Sequence, residues 1–241
     1  MRKNLKLLPY LAAGLGLVGM GLRKWLYLTA PDEKNLLPLW HPLTLALWLL
    51  TAALAVTVLL AVRKEENIRG YHRNFHNAVP AAIGCFALAL GLGGTAFLGD
   101  GGTVEMVVGL AGAASMVFVG VSRLQGKRPN YIFHALVCIF FAVYLVNCYR
   151  DSRGNPQLTD YAFIMFAIVG LMLFAYQQTA FDGGYGKRKS QLAWGLLSAY
   201  FCLVSLSDAE NLLLCGCGAL WCLTNLSSLT PEPRRGEWEV G

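Results

Sequence analysis

The sequence predicts an all-α fold, a polytopic membrane bundle of about eight transmembrane helices. Of the 241 residues, 56% are hydrophobic and 14% are charged, whereas soluble domains carry about 25% charged residues. The apolar residues form runs long enough to cross the hydrocarbon, and these runs recur along the whole chain. Lysines and arginines collect in alternate loops between the runs. We therefore treat residues 1–241 as one integral membrane domain.

The predicted spans are each close to the ~20 residues needed to cross a bilayer. They cover residues 7–25, 42–62, 79–98, 104–121, 131–149, 161–180, 191–206 and 209–228. The first is the least regular, because Arg23 and Lys24 interrupt it, and its basic start also fits a signal peptide. Because Pro31 would follow the possible cleavage site near Ala30, we favour an uncleaved first span.

The charge distribution predicts that both chain ends lie in the cytoplasm. Of the 20 lysines and arginines, 15 fall in the predicted inner segments, 1–6, 63–78, 122–130, 181–190 and 229–241. The five others, on the outer side, are Arg23, Lys24, Lys34, Arg150 and Arg153. This bias follows the positive-inside rule and predicts a multi-pass protein of the cell (cytoplasmic) membrane. The last six spans are consistent with three helical hairpins, with internal duplication left open.

A set of charged residues falls near the outer turns of these hairpins. Its members are Asp100, Glu105, Arg150, Asp151, Asp160, Asp208 and Glu210. One interpretation is local: Ser207 and Glu210 match a capping box for the last span, and acidic residues suit helix N-termini. The other is one outer site with a net negative mouth, which would concentrate cations.

Polar residues also fall within or at the end of predicted spans. His134 lies one turn inside the fifth span, and Gln177 and Gln178 lie near the inner end of the sixth. Ionisable groups at membrane depth are functional candidates by default. At this depth, however, the His134 ring could reach the inner headgroups, and the glutamines could mark the inner interface.

The segment 64–77 predicts a short amphipathic helix on the inner leaflet. Ile68, Tyr71 and Phe75 form an apolar stripe, and Arg69, Arg73 and His76 form a basic one. We expect the stripe to enter the lipid and the arginines to meet anionic headgroups. His72 and His76, spaced as a helical metal pair, carry the weaker alternative of a metal site.

Small residues within the spans predict close helix packing. Gly14, Gly16 and Gly19 match a dinucleotide-binding pattern, but they lie in a span with no strand before them. We therefore assign them to helix contacts, together with the pairs Ala87/Gly91, Ala89/Gly93 and Gly109/Ala113. The seven cysteines lie mostly in apolar runs and are assigned to core packing. No metal or other cofactor is expected.

The sequence contains no catalytic motif that we recognise, so we assign no catalytic residues and function stays open between three classes. The first is binding or transport of a small polar or cationic solute from the outer face. The second is an intramembrane enzyme acting on lipid, with His134 or the outer acids in acid–base roles. The third is a structural or sensory subunit that acts through a membrane-protein partner or a second copy. Lipid is the expected partner, and the absence of a basic soluble domain argues against nucleic acid.

Reporter fusions test the orientation. Fusions at Gly154 and Ala209 are expected to report from outside, and fusions at Gly126 and Gly186 from the cytoplasm, because the positive charges stay inside. A cytoplasmic signal from Gly154 would contradict the eight-span topology.

Overall fold

A computed structural model describes residues 7–29, 41–63, 65, 71–75, 78–99, 102–151, 158–208 and 211–229. Eight long helices and one short helix lie in these ranges, and the eight long ones coincide with the eight predicted spans. Their bounds are α1 Leu8–Thr29, α2 Pro42–Arg63, α3 Tyr71–Asn74, α4 Ala78–Leu98, α5 Thr103–Leu124, α6 Tyr131–Asp151, α7 Leu158–Gly183, α8 Arg188–Ser205 and α9 Leu212–Ser227. The predicted all-α fold, a helical membrane bundle, is confirmed.

Five of the described helices are long and apolar enough to cross a membrane: α2, α4, α5, α6 and α7. The remaining three differ for local reasons. Helix α1 carries Arg23 and Lys24, and α9 has only 16 residues. Helix α8 is flanked by α1, α2, α7 and α9, so most of its surface is covered by protein and need not be apolar. The protein is therefore a membrane protein, and the count of eight spans stays a prediction.

Helices α4 to α9 form a closed ring. Each packs against the next along the chain, and α9 returns to pack against α4. Helix α1 lies outside the ring against α8, and α2 packs on α1 and α8. The three predicted hairpins, α4–α5, α6–α7 and α8–α9, are thus consecutive parts of one ring.

The middle of the ring is filled by apolar side chains. Leu88, Leu92, Phe140, Leu171 and Cys202 belong to one buried cluster contributed by the ring helices. The outward faces are apolar too, as in Leu49, Leu59, Leu90 and Phe97, which are more than half exposed. Such an exposed apolar surface is what a surrounding bilayer requires.

Glycines bring the helices into close contact, as predicted. A Cβ added to Gly16 would lie 2.8 Å from Leu203 Cβ, and one added to Gly19 would lie 2.7 Å from Val204 Cγ2. These contacts place α1 against α8. Gly91 of α4 meets Cys217 of α9 in the same way. Small residues therefore set the helix spacing.

The close contact between α4 and α5 is also made by predicted small residues. Gly109 of α5 faces Ala96, and an added Cβ would lie 2.8 Å from the Cβ of that alanine. Gly93 faces Ala113 at 3.8 Å. By contrast, a Cβ added to Gly14 would meet nothing within 4 Å. Of the three glycines in the pattern, Gly16 and Gly19 therefore pack against another helix and Gly14 does not.

The predicted capping box before the last span is wrong. Helix α9 begins at Leu212 with Asn211 as its N-cap, so Ser207 lies too far back to cap it. The Ser207 hydroxyl donates instead to the Val204 carbonyl, at the end of α8. Glu210 lies outside the described residues.

The glycine contacts give a matched pair of stability predictions on one helix. Gly16→Ala is expected to lower the free energy of unfolding by about 1–3 kcal/mol, because its Cβ would overlap a fixed Leu203 Cβ. Gly14→Ala, in open space, is expected to be neutral or stabilising by up to about 1 kcal/mol. Equal losses in both variants, measured by unfolding in detergent, would show that this α1–α8 contact is absent.

Candidate functional site

Two helix ends that the charge pattern assigns to the cytoplasmic side bring polar side chains into the ring. Helices α5 and α7 both end at a left-handed glycine, Gly126 with φ 68° and Gly184 with φ 89°. At the first, the Lys127 amide donates to the Ser122 carbonyl, and at the second the Tyr185 amide donates to the Ala180 carbonyl. These bonds satisfy the last carbonyls and turn the chain sharply into the next helix.

Arg123 forms the centre of a buried network. Its guanidinium donates through Nη1 to Asn225 Oδ1 and through Nη2 to Gln178 Oε1, the latter at 2.8 Å. Gln178 Nε2 donates in turn to Asn225 Oδ1 at 3.2 Å. All three side chains are at most 1% exposed. Because α7 and α9 are not neighbours of α5 in the ring, the network crosses the ring interior.

A histidine and a carboxylate lie at the same end. His134 Nδ1 and Asp182 Oδ2 are 2.5 Å apart, and both side chains are fully buried. Arg128 Nε also donates to the Asp182 main-chain carbonyl. Within the described part of the chain, His134 Nε2 and Asp182 Oδ1 have no hydrogen-bond partner. The histidine is thus buried among protein groups.

The two groups of polar residues belong to one cluster. Arg123 lies within electrostatic range of Asp182, Tyr71 and Cys85. The His134 ring stacks on Trp221 with centroids 6.3 Å apart. We call Arg123, His134, Gln178, Asp182 and Asn225 the inner cluster.

Tyr71 and Phe75 pack on the inner cluster. The Phe75 ring lies 5.4 Å from the Arg123 guanidinium and 5.5 Å from the Phe181 ring. Burial raises the pKa of the Tyr71 phenol, and the Arg123 guanidinium opposes that rise. Tyr71 is 9% exposed, so the prediction that it enters the lipid is wrong. The aromatic stripe instead faces an internal charge, which attracts aromatic rings.

An ion pair holds this segment to the bundle. Arg188 at the start of α8 donates through Nε to Glu65 Oε2 at 3.2 Å and through Nη1 to Asn74 Oδ1 at 3.4 Å. All three side chains are buried. The basic residues predicted to meet headgroups are not placed: Arg69 lies outside the described residues, and the side chain of Arg73 is not described. Their membrane role stays a prediction.

A second polar cluster lies inside the ring at the opposite end. Asn147 Nδ2 donates to Glu105 Oε2 at 2.5 Å, and the Glu105 side chain is buried. Three residues earlier on α6, Tyr144 donates to Asn211 Oδ1 at 2.6 Å. That bond crosses the ring, because α6 and the start of α9 are not neighbours. We call these four residues the outer cluster.

The other predicted outer residues have different surroundings. Asp208 forms an ion pair with Arg23 of α1, with Oδ2 and Nη2 3.0 Å apart. Glu105 takes no part in this pair. Arg150 is exposed at the end of α6. Asp151 and Asp160 lie in helices α6 and α7 with side chains that are not described, and Asp100 lies outside the described residues. A shared vestibule of these carboxylates therefore stays a prediction. The charge of Asp208 is neutralised by Arg23, a partner that the sequence did not indicate.

The remaining predicted site residues are Gln177, His72 and His76. Gln177 is half-buried on α7 and takes no part in the inner cluster. The His72 side chain is not described and His76 lies outside the described residues. Where side chains are described, no three His, Cys, Asp or Glu residues converge as metal ligands would.

Sequence inspection missed Arg123, Asp182 and Asn225 as site residues. The first two were assigned to inner loops, but α5 continues to Leu124 and α7 to Gly183, beyond the predicted span ends. Helical spacing could have indicated Asp182 and Arg123. Gln178 and Asp182 are one turn apart on α7, and Glu105 and Arg123, 18 positions apart, share one face of α5 after about five turns.

Comparisons with protein-family models, with curated proteins and with solved structures each find no match to this chain. The chemistry of the clusters is therefore the guide to function. The inner cluster offers a guanidinium, an imidazole and a carboxylate, and the outer cluster offers a carboxylate and a phenol. Both could bind polar groups inside an otherwise apolar ring.

The amides of α7 provide a test of the inner network. Gln178→Leu is expected to lower the free energy of unfolding by about 1–3 kcal/mol, because it removes an acceptor from the buried Arg123 guanidinium. The adjacent Gln177→Leu, which removes a similar amide outside the network, is the control and should change stability by less than about 0.5 kcal/mol. Similar losses in both variants, measured by unfolding in detergent, would contradict the network.

Proposed function

We propose that the protein is a membrane carrier that binds a small polar solute inside the six-helix ring. The observation that carries the proposal is the pair Glu105 and Arg123. Both are buried, both lie on the ring-facing side of α5, and they stand about 27 Å apart at 1.5 Å per residue. This is close to the thickness of the hydrocarbon, about 30 Å.

The buried charges at both ends of the ring favour a role in binding solute over a role in stabilising the fold alone. Replacing a buried polar network by apolar side chains of similar size is often neutral or stabilising, so stability alone does not require it. Intramembrane ionisable groups usually face substrate or ion pathways. The apolar centre, with Phe140 and Leu92, separates the two clusters and would keep the ring closed to free leakage.

The orientation belongs to the same proposal. The contacts of Arg188 with Glu65, and of Arg123 with Asn225, bring the basic ends of α2, α5 and α8 to one end of the ring, together with the end of α9. We assign this end to the cytoplasm and the Glu105 end to the outside, from which a cationic solute would first meet a carboxylate.

Thermal unfolding of the purified protein in nanodiscs tests the proposal. The probes are choline for a cation, glucose for a neutral solute, and acetate and inorganic phosphate for anions, all at matched ionic strength. At least one probe should stabilise the wild type, since a ligand at ten times its Kd contributes about 1.4 kcal/mol.

The stabilisation should be lost in Glu105→Gln or Arg123→Gln, which remove one charge from the outer or the inner cluster. It should persist in Lys24→Gln and Lys127→Gln, because both of these lysines are exposed. The proposal fails if none of the four probes stabilises the wild type, or if every variant responds as the wild type does.

A second candidate function is an intramembrane enzyme acting on lipid. The observation in its favour is the buried His134–Asp182 pair, in which the carboxylate orients the imidazole and leaves Nε2 available to exchange a proton. Lipid profiling of a deletion strain complemented with wild type or His134→Gln separates the two candidates. An accumulated lipid that only the wild type removes would favour the enzyme, and an unchanged profile would exclude it.

A further inference from the structure

We propose that the inner cluster is a binding site for an oxyanion. Inorganic phosphate is the probe that represents this class of ligand. This inference rests on the proposed binding function and names the chemistry of its inner end. The ligand would be either a free phosphate compound from the cytoplasm or the phosphate of an inner-leaflet lipid headgroup.

The first argument is the charge of the Arg123 guanidinium. Its two hydrogen-bonded partners are neutral amides, and no carboxylate oxygen of the described residues lies within ion-pair distance of it. The only carboxylate of the inner cluster, Asp182, is already bonded to His134. A buried charge is stabilised most by a bonded counter-ion, and this guanidinium has none among the described residues.

The second argument is the direction from which a ligand can reach it. Asn225 and Gln178 each accept from one N–H of Nη1 and of Nη2, and the Phe75 ring covers one face. The Nε edge remains, and Arg123 Nε has no acceptor among the described residues although it is fully buried. An N–H group held in this way is a ready donor for an anionic oxygen.

The third argument is the sum of charges around Asp182. Arg123 supplies one buried positive charge, and Arg128, whose side chain is exposed, supplies a second at the edge of the site through its bond to the Asp182 main chain. Asp182 supplies one negative charge. The described groups therefore leave an excess of positive charge, which an oxyanion would neutralise. His134 Nε2 is a second buried atom without a partner among the described residues at the same site, and Asp182 Oδ1 is a third, an acceptor to which a monoprotonated oxyanion would donate its O–H.

Two observations set this site apart from ordinary helix packing. A guanidinium that only joins helices gains from every bonded N–H, whereas Arg123 Nε has no acceptor among the described residues. Its amide acceptors are also neutral where a carboxylate would bind more strongly. Gln178→Glu would supply that carboxylate from within the protein, at the expense of one 3.2 Å hydrogen bond to Asn225.

The test measures phosphate binding by the full chain in phosphatidylcholine nanodiscs, by titration calorimetry. Wild type should bind inorganic phosphate saturably. Arg123→Gln should weaken the affinity at least tenfold. Gln178→Glu should weaken it to a similar extent while unfolding at the same temperature as the wild type without phosphate, because the new carboxylate takes the place of the ligand. Lys127→Gln, an exposed charge on the same side, should change the affinity less than twofold.

A second arm identifies the source. Nanodiscs containing phosphatidate should stabilise wild type but not Gln178→Glu, relative to phosphatidylcholine alone, if the ligand is a lipid headgroup. Saturable binding of inorganic phosphate without this lipid effect would assign a free phosphate compound.

If neither inorganic phosphate nor phosphatidate binds wild type, or if Gln178→Glu binds as wild type does, the oxyanion site is overturned. In that case stabilisation by choline through Glu105 would leave the carrier proposal standing. If Arg123→Gln fails to fold, Gln178→Glu and the lipid arm still decide the outcome.

Discussion

The backbones of α4 and α9 lie close together at glycines, and this contact closes the ring on which the other features depend. A Cβ added to Gly84 would lie 2.0 Å from Thr224 Oγ1, and one added to Gly94 would lie 2.2 Å from Leu213 Cδ2. Larger residues at these positions would separate the first and last helices of the ring. Without closure, the polar groups that point inward would face lipid, where an unpaired polar group is destabilised by several kcal/mol.

Closure explains why the polar side chains are arranged in clusters. Because lipid offers no hydrogen-bond partner, polar side chains inside the ring bond to side chains of other helices, while Arg123 Nε and His134 Nε2 are left without a partner among the described residues. Arg123 reaches α7 and α9, His134 reaches α7, and Tyr144 reaches the start of α9. These bonds are made at the two ends of the ring, and the middle is packed with apolar side chains. The two ends also differ in charge, positive at the inner cluster and negative at Glu105.

Several side-chain contacts fix the segment after α2 to the end of the ring that holds the inner cluster. Arg188 bonds Glu65 and Asn74, and Phe75 packs on both Phe181 and Arg123. The segment after α2 is thereby part of the wall of the inner cluster.

The sequence by itself determined the all-α membrane fold and the positions of the eight helices, because hydropathy and helix length are local properties. It also indicated the small-residue packing faces and His134 as a polar residue in a span. Only the tertiary structure decided the partners. Arg123 and Asn225 are 102 positions apart, and His134 and Asp182 are 48 apart, so no local pattern joins them. Helix ends were decided in the same way: α5 and α7 continue past their apolar runs because the ring interior offers Arg123 and Asp182 polar partners that lipid lacks.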